Sequence, residues 1–321
     1  MNYHAFVGID IGKYEFVAAE YNAKKTHTYQ NNESGWSDFF SDHFNLIKNG
    51  LVILETTGGY ESGLLTFLVE KNIASHRADT RRVKNFIRSF GQKAKTDSID
   101  AQALAYYGHE RHAKLKLFIP ENNKQSTLKI LEERRQDLKQ MLVKEKNRFK
   151  APLNGPVLEN IQMMINYLQI QIENITSKID ELITADPELV KKQEILKGIP
   201  GIGDITSRAL LALLPELGHL DNKRIASLCG VAPHARQSGT KIWYSRTFGG
   251  RRNLRSILFM AAMSARKSKK TTLSEFYERL VSSGKKKMVA LVAVMRKIIV
   301  IANARLRDFM SASANTDAPL T

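Results

Sequence analysis

The sequence has almost no cysteine and no apolar run long enough to cross a bilayer. Cys229 is the only cysteine in 321 residues, which excludes an internal disulfide and a cysteine-based zinc cluster. The most apolar segment, MVALVAVMRKIIVIANA, is interrupted by Arg296 and Lys297 and is too short on either side to span. The first residues, MNYHAFVGID, show no basic leader followed by an apolar stretch. These absences predict a protein of the reducing cytoplasm with no membrane partner.

Acidic residues are also scarce relative to basic ones. The chain has 49 Lys and Arg against 32 Asp and Glu, which gives a formal net charge of +17 and a pI of about 9.8. An excess of this size favours a polyanionic partner, with nucleic acid ahead of an anionic membrane surface. We therefore expect a nucleic-acid-binding protein.

The chain has four segments that differ in composition and predicted secondary structure. Residues 1–112 alternate strand-like runs (AFVGIDI, EFVAAEY, GLVILE) with helical ones, which predicts an α/β domain. Residues 113–186 are charged and helical, residues 187–310 are mostly helical with glycine-rich interruptions, and residues 311–321 form a polar tail predicted to be disordered.

The second segment carries apolar residues at alternating spacings of four and three. This heptad pattern is typical of a coiled coil and predicts a helical hairpin or a dimerising arm. Two ordinary amphipathic helices packed on a domain are the alternative. The positions are Ile161, Ile165, Leu168, Ile172, Ile175, Ile179 and Leu182.

Acids stand at unexpected places in the α/β segment. Asp10 interrupts the apolar run FVGIDI, and Glu55 ends the run LVILE. Asp97 and Asp100, in AKTDSIDAQALA, can share one helical face. A helix packed over that sheet edge would gather four carboxylates, which repel one another unless hard cations such as Mg²⁺ or Mn²⁺ bind them. Taken singly, Asp97 is better explained as a helix cap than as a ligand, and a strand-end residue such as Glu55 is usually solvated.

Two features of the third segment suggest contact with a phosphate backbone. The turn GIPGIG, with Gly201 and Gly203, resembles a helix-hairpin-helix element, although a tight turn between core helices explains it equally well. Ser238 lies in a polar loop rich in cations. A serine needs activation to act as a nucleophile, and ordinary turn chemistry is the alternative.

The motifs GIDIGK, LETTGGYE and AKTDSIDAQALA together resemble the Asp-Glu-Asp-Asp transposases of the IS one-ten insertion-sequence family, which includes pilin-gene invertases. The third segment matches the family's C-terminal pattern. The matching residues there are Pro233, Ser238-Gly239, Gly249 or Gly250, Arg255, Leu258 and Ala261-Ala262.

The resemblance implies a ribonuclease-H-like fold of the Holliday-junction-resolvase type, with Asp10, Glu55, Asp97 and Asp100 as metal ligands. It maps the family's nucleophilic serine onto Ser238, with Ser245 as the alternative. It further implies DNA strand transfer through a transient phosphoserine link, a composite site, a homo-oligomer and association with the bacterial nucleoid. Many of these transposases use a structured guide RNA, whereas the invertases are not known to.

Two other functions compete with this interpretation. GIDIGK also resembles the first phosphate loop of actin-like ATPases and sugar kinases, but no second Asp-Gly loop or adenosine motif follows it. A non-catalytic architectural protein would leave the four acids unexplained. We expect nucleic-acid contacts from Arg77, Arg81, Arg82, Lys84, Arg88, Lys95, Gly201, Gly203, Arg236, Lys241, Arg246, Arg251, Arg252 and Arg255.

Overall fold

The computed structural model describes residues 3–89, 96–120, 123–152, 154–238, 241–268 and 271–316. The chain divides into two compact units, Met1–Glu121 and Asn122–Thr321. The first unit is α/β, as predicted, and contains a mixed sheet of five strands with the order β3-β2-β1-β4-β5. These strands are β1 (Ala5–Ile11), β2 (Glu15–Glu20), β3 (Thr26–Gln30), β4 (Gly50–Glu55) and β5 (Ser75–Ala78).

Strand direction follows from the connections. The short turns make β1, β2 and β3 antiparallel, whereas helical crossovers make β4 parallel to β1 and β5 parallel to β4. The central strands are buried on both faces, which explains their nearly continuous apolar sequence. The helices of this unit are α1 (Glu33–Ile47), α2 (Glu61–Glu70), α3 (Thr80–Ser89) and α4 (Asp97–Arg111).

Side-chain alternation along β1 and β4 divides the core into two layers. Val7, Ile9 and Leu54 face α1 and α2, whereas Phe6 and Ile53 face α3 and α4. Asp10 therefore shares the face of Phe6, and Glu55 shares the face of Ile53. Both acids lie on the side of the sheet that α4 covers.

Helix α4 lies unusually close to β1 because Gly8 has no side chain. A Cβ atom built on Gly8 would lie 2.1 Å from the Ala101 carbonyl oxygen and 2.3 Å from the Ala105 nitrogen. At the other end of the helix, a Cβ on Gly108 would lie 2.2 Å from Cδ1 of Ile53. The two glycines fix both the height of α4 above the sheet and its direction, which is antiparallel to β1.

The second unit begins with a helical hairpin. Helices α5 (Asn123–Phe149) and α6 (Leu158–Thr184) pack along each other. Four of the seven heptad positions of α6 are buried, namely Ile161, Ile165, Leu168 and Ile179, and the other three are half-buried. Glu132 and Arg135 form a buried ion pair on α5, with Nε of Arg135 2.7 Å from Oε2 of Glu132.

The remainder of the second unit is mostly helical but contains a β-hairpin that the sequence analysis missed. Its helices are α7 (Pro187–Lys197), α8 (Asp204–Leu213), α9 (Asn222–Leu228), α10 (Arg252–Lys267), α11 (Thr272–Ser282) and α12 (Lys287–Thr316). Strands β6 (Pro233–Ser238) and β7 (Lys241–Thr247) pair antiparallel. Helix α12 reaches Thr316, within the predicted tail, and residues 317–321 lie outside the described part. Across the described residues, no helix is both long and apolar enough to span a membrane.

The contact at Gly8 generates a stability prediction. Gly8→Ala should lower the free energy of unfolding by roughly 2 kcal/mol or more, because the added methyl meets backbone atoms that cannot rotate away. The matched control is Gly58→Ala, whose added Cβ would meet nothing nearer than Cε2 of Tyr60 at 4.0 Å. Urea unfolding of both variants measures the difference, and equal midpoints would show that α4 is free to shift.

Candidate active site

The first two acids, Asp10 and Glu55, lie near the carboxyl ends of two adjacent central strands. Strands β1 and β4 are parallel, with Ile9 opposite Leu54, so the next residue of each strand is an acid. Asp10 and Glu55 are both half-buried and lie on the same face of the sheet. The structure therefore places the two acids on adjacent parallel strands, and their role as metal ligands stays a prediction.

Helix α4 directs the other two acids towards the same edge. The Thr96 hydroxyl accepts a hydrogen bond from the Ile99 nitrogen, so Thr96 is the N-cap and Asp97 belongs to the first turn. The helix crosses Gly8 at Ala101 and runs antiparallel to β1. Its first turn, with Asp97 exposed and Asp100 half-buried, therefore extends towards the strand end that carries Asp10.

The four acids lie on elements directed towards the same end of the sheet, but among the described residues they do not form a metal site. Among the described residues, no group of three His, Cys, Asp or Glu side chains is arranged so that it could hold a metal ion. The structure thus brings together the faces and elements that carry the four carboxylates. The ligand set itself stays a prediction.

A fifth acid, Glu61, organises the loop that follows Glu55. Its buried carboxylate accepts hydrogen bonds from the Thr57 hydroxyl at 2.6 Å, from the Thr57 and Gly59 nitrogens, and from Nε of Arg77 at 2.9 Å. Burial alone would raise the pKa of Glu61, but the bonds from Thr57, the backbone and Arg77 hold it below its ordinary value. Glu61 was not among the predicted site residues, although it is the second acid of the motif LETTGGYE.

Asn31 joins the two loops that border the strand-end acids. Its amide nitrogen donates to the Gly12 carbonyl at 2.9 Å and to the Tyr60 carbonyl at 3.2 Å. Its side-chain oxygen accepts a bond of 2.9 Å from Nε1 of Trp36. No local sequence signal marks Asn31 as the link between these loops, because Gly12 and Tyr60 are 19 and 29 residues away in the chain.

The basic residues before the acid pair divide into two groups. Arg81, Arg82, Lys84 and Arg88 are exposed on α3, whose other face buries Val83 and Phe86. Arg77 instead forms an ion pair with Glu61, and its guanidinium therefore stabilises the loop after β4. Lys95 lies outside the described residues.

Ser238 is the last residue of β6, where it pairs with Lys241 across the tip of the hairpin. The polar loop predicted around Ser238 is instead part of a β-hairpin, and the alternation of KIWYSRT was the signal for a strand. The side chains of residues 235–245 lie outside the described part of the structure. That range holds Ser238, Ser245, Arg236 and Lys241, so their roles stay predictions.

Arg251 and Arg255, which were predicted to bind DNA, donate hydrogen bonds to groups within the second unit. The guanidinium of Arg251 donates to both carboxylate oxygens of Glu216, at 2.6 and 2.8 Å, and to the Leu213 carbonyl. Arg255 donates to the Gly249 carbonyl at 3.0 Å. Arg246 and Arg252 are exposed.

The glycines of GIPGIG do different things. Gly201 has φ +90°, and a Cβ there would lie 2.3 Å from the Ala261 carbonyl oxygen, so this turn packs directly on α10. Gly203 is the N-cap of α8 and would meet nothing within 4 Å. Close packing therefore explains Gly201, while Gly203 leaves open space for an approaching phosphate.

Comparison with known proteins agrees with this arrangement. A family model described as Transposase, of the DEDD IS110 type, matches residues 7–156, and one described as Transposase IS116/IS110/IS902 family matches residues 193–278. The chain is also 30% identical over 312 residues to the pilin gene-inverting proteins of Moraxella lacunata and Moraxella bovis. These alignments cover 94% of this chain and 96% of each relative.

Together with the α/β unit and the basic helical unit that follows it, these matches show an enzyme of the transposase and recombinase class, which acts on DNA. Within that class, the chain belongs to the IS116/IS110/IS902 transposase family. The resemblance identified from the three sequence motifs is confirmed.

The Glu61 network generates a pH-dependent prediction. Glu61→Gln should cost about 1–3 kcal/mol of stability at neutral pH, because an amide cannot accept all the bonds made to the carboxylate. Since the pKa of Glu61 is lowered on folding, its contribution is complete above the ordinary value of 4.5 and is lost as the pH falls through the folded-state pKa.

Urea unfolding at several pH values should therefore show a deficit for Glu61→Gln that shrinks in acid. Glu70→Gln, an exposed acid on the same helix, is the matched control and should behave as wild type. A deficit that is independent of pH would contradict the assignment.

Proposed function

We propose that this protein is an insertion-sequence transposase that cuts and rejoins DNA through carboxylate-bound metal and a serine nucleophile. The observation that supports the proposal is that Asp10 and Glu55 lie on one face of the adjacent strands β1 and β4, and that the first turn of α4 extends towards the same strand ends. The family match and the net charge of +17 support DNA as the substrate.

The proposal includes a ribonuclease-H-like fold for the first unit and a coiled-coil role for the α5–α6 hairpin. The mixed sheet and the covering helix α4 support the first part. The inward-facing heptad positions support the second. We further propose that the chain acts as an oligomer, since moving a DNA segment requires several strand cleavages.

The chemistry of the four predicted ligands suits a hard divalent cation. Asp10, Glu55, Asp97 and Asp100 offer only carboxylate oxygens, which Mg²⁺ and Mn²⁺ prefer. When bound there, the metal would neutralise charge on the phosphate that reacts. The half-buried positions of Asp10 and Glu55 would keep their oxygens oriented by the strands that carry them.

The serine step exchanges one phosphate ester for another. The Ser238 oxygen would form a bond to phosphorus and lose its proton, while the bond from phosphorus to a deoxyribose oxygen breaks and that oxygen gains a proton. A DNA hydroxyl would later reverse the exchange at the phosphoserine. Because the number of ester bonds is unchanged, no nucleotide triphosphate is needed.

A guide RNA is part of the proposal, and an invertase acting without RNA is the alternative. The named relatives are pilin gene-inverting proteins, and the family model is that of transposases. A basic surface binds A-form RNA and DNA alike. Sequencing of RNA that copurifies with the protein from its host separates the two.

The catalytic assignment predicts loss of activity without loss of binding. Asp10→Asn, Glu55→Gln and Ser238→Ala should each lower the rate of strand transfer by at least ~100-fold, because each removes a group from the proposed reacting centre. Recombination of a marked DNA substrate measures this, and gel-shift affinity checks that binding is retained. Mapping of a trapped protein–DNA adduct identifies the attacking residue.

Two exposed residues supply the controls. Asp38→Asn on α1 and Ser256→Ala on α10 make the same chemical changes away from the proposed site and should leave activity intact. An active Ser238→Ala protein, or an adduct at Ser245, would reject Ser238 as nucleophile.

The exposed basic face of α3 predicts salt-dependent binding. Removal of each phosphate contact should lower the slope of log affinity against log salt by about 0.9. The double variant Arg81→Gln/Arg82→Gln is compared with Lys48→Gln/Lys71→Gln, which removes equal charge from the helical layer on the opposite face of the sheet. Equal slopes for the two variants would exclude α3 as a DNA contact.

A further inference from the structure

A pocket lies at the root of the β6–β7 hairpin, within the second unit. Its cavity has a volume of about 450 Å³, within the range of small-ligand sites. One wall comes from the hairpin and the other from the first turns of α12. The residues that matter to its chemistry are Arg246, Met288, Val289, Val292, Ala293 and Arg296.

The lining combines an apolar body with two positive charges. Val292 and Ala293 are half-buried, whereas Met288 and Val289 remain 60% and 54% exposed. Arg246 enters from the strand and Arg296 from the helix. Among the described lining residues there is no carboxylate, so the pocket favours an anionic ligand that has an apolar surface.

Its surroundings extend the same chemistry. Three exposed lysines, Lys285, Lys286 and Lys287, directly precede Met288. Phe248 follows the hairpin and is 60% exposed, with its ring 4.3 Å from that of His234. Cations that follow a phosphate backbone and an exposed ring on which a base can stack are typical of sites for single-stranded nucleic acid.

We propose that this pocket holds one unpaired DNA nucleotide, with its base against Val289, Val292 and Ala293 and its phosphates between Arg246 and Arg296. The proposal rests on the proposed function, since it assumes a DNA substrate. The pocket would keep a nucleotide out of the duplex at the root of the hairpin whose tip carries Ser238.

The test compares DNA duplexes with and without one unpaired 2-aminopurine, using the full chain with Glu55→Gln to block strand transfer. Wild-type pocket residues should give a preference for the bulged duplex of about five-fold to a hundred-fold, as base stacking allows, with a change in 2-aminopurine fluorescence. Ala293→Phe fills the cavity and should remove this preference while leaving affinity for perfect duplex unchanged. Ala293→Leu, a smaller change, should reduce the preference.

Matched variants separate the pocket from general effects. Met260→Phe, at a 65% exposed position on α10, should keep the preference. Arg296→Gln should lower it, whereas Arg224→Gln on α9, 73% exposed, should not.

Three results would overturn the proposal. The first is a preference for the bulged over the perfect duplex that survives Ala293→Phe, and the second is a preference seen only with bulged RNA. The third is a change of oligomeric state in Ala293→Phe, which would assign the pocket to a second copy of the chain. A chain that binds neither duplex contradicts the proposed function instead.

Discussion

The candidate site depends on the contact between helix α4 and strand β1. Because Gly8 has no Cβ, the backbone of α4 at Ala101 and Ala105 lies directly on the strand. Any side chain at that position would lift the helix and move Asp97 and Asp100 away from Asp10. The second glycine contact, between Gly108 and Ile53, prevents the helix from rotating about the first. Two missing side chains thus align three elements that are far apart in sequence.

The loops next to the acids are held by polar and charged side chains that bond to one another and to the backbone. Glu61 closes the loop after β4 through Thr57, Gly59 and Arg77, and Asn31 joins that loop to the β1–β2 turn. A buried carboxylate is costly unless donors surround it, and here they do. The loops that follow Asp10 and Glu55 are consequently fixed without using either acid.

Positive charge in this molecule serves two purposes. Arg77 and Arg251 neutralise the acids Glu61 and Glu216, whereas the arginines and lysines of α3 face solvent. The net charge of +17 therefore overestimates the number of cations that can contact a phosphate backbone. It also does not identify which cations these are. What separates the two groups is an ion pair within the protein, to Glu61 for Arg77 and to Glu216 for Arg251.

The sequence by itself determined the α/β character of the first unit, the strand positions of Asp10 and Glu55, the helical acid pair and the family. These follow from residue type and local periodicity, which act over a few residues. Only the tertiary structure decided that Gly8 sets the height of α4, that Glu61 and Asn31 fix the loops, and that Arg77 pairs with an acid. Each of these depends on atoms brought together from distant parts of the chain, and no local pattern encodes such a meeting.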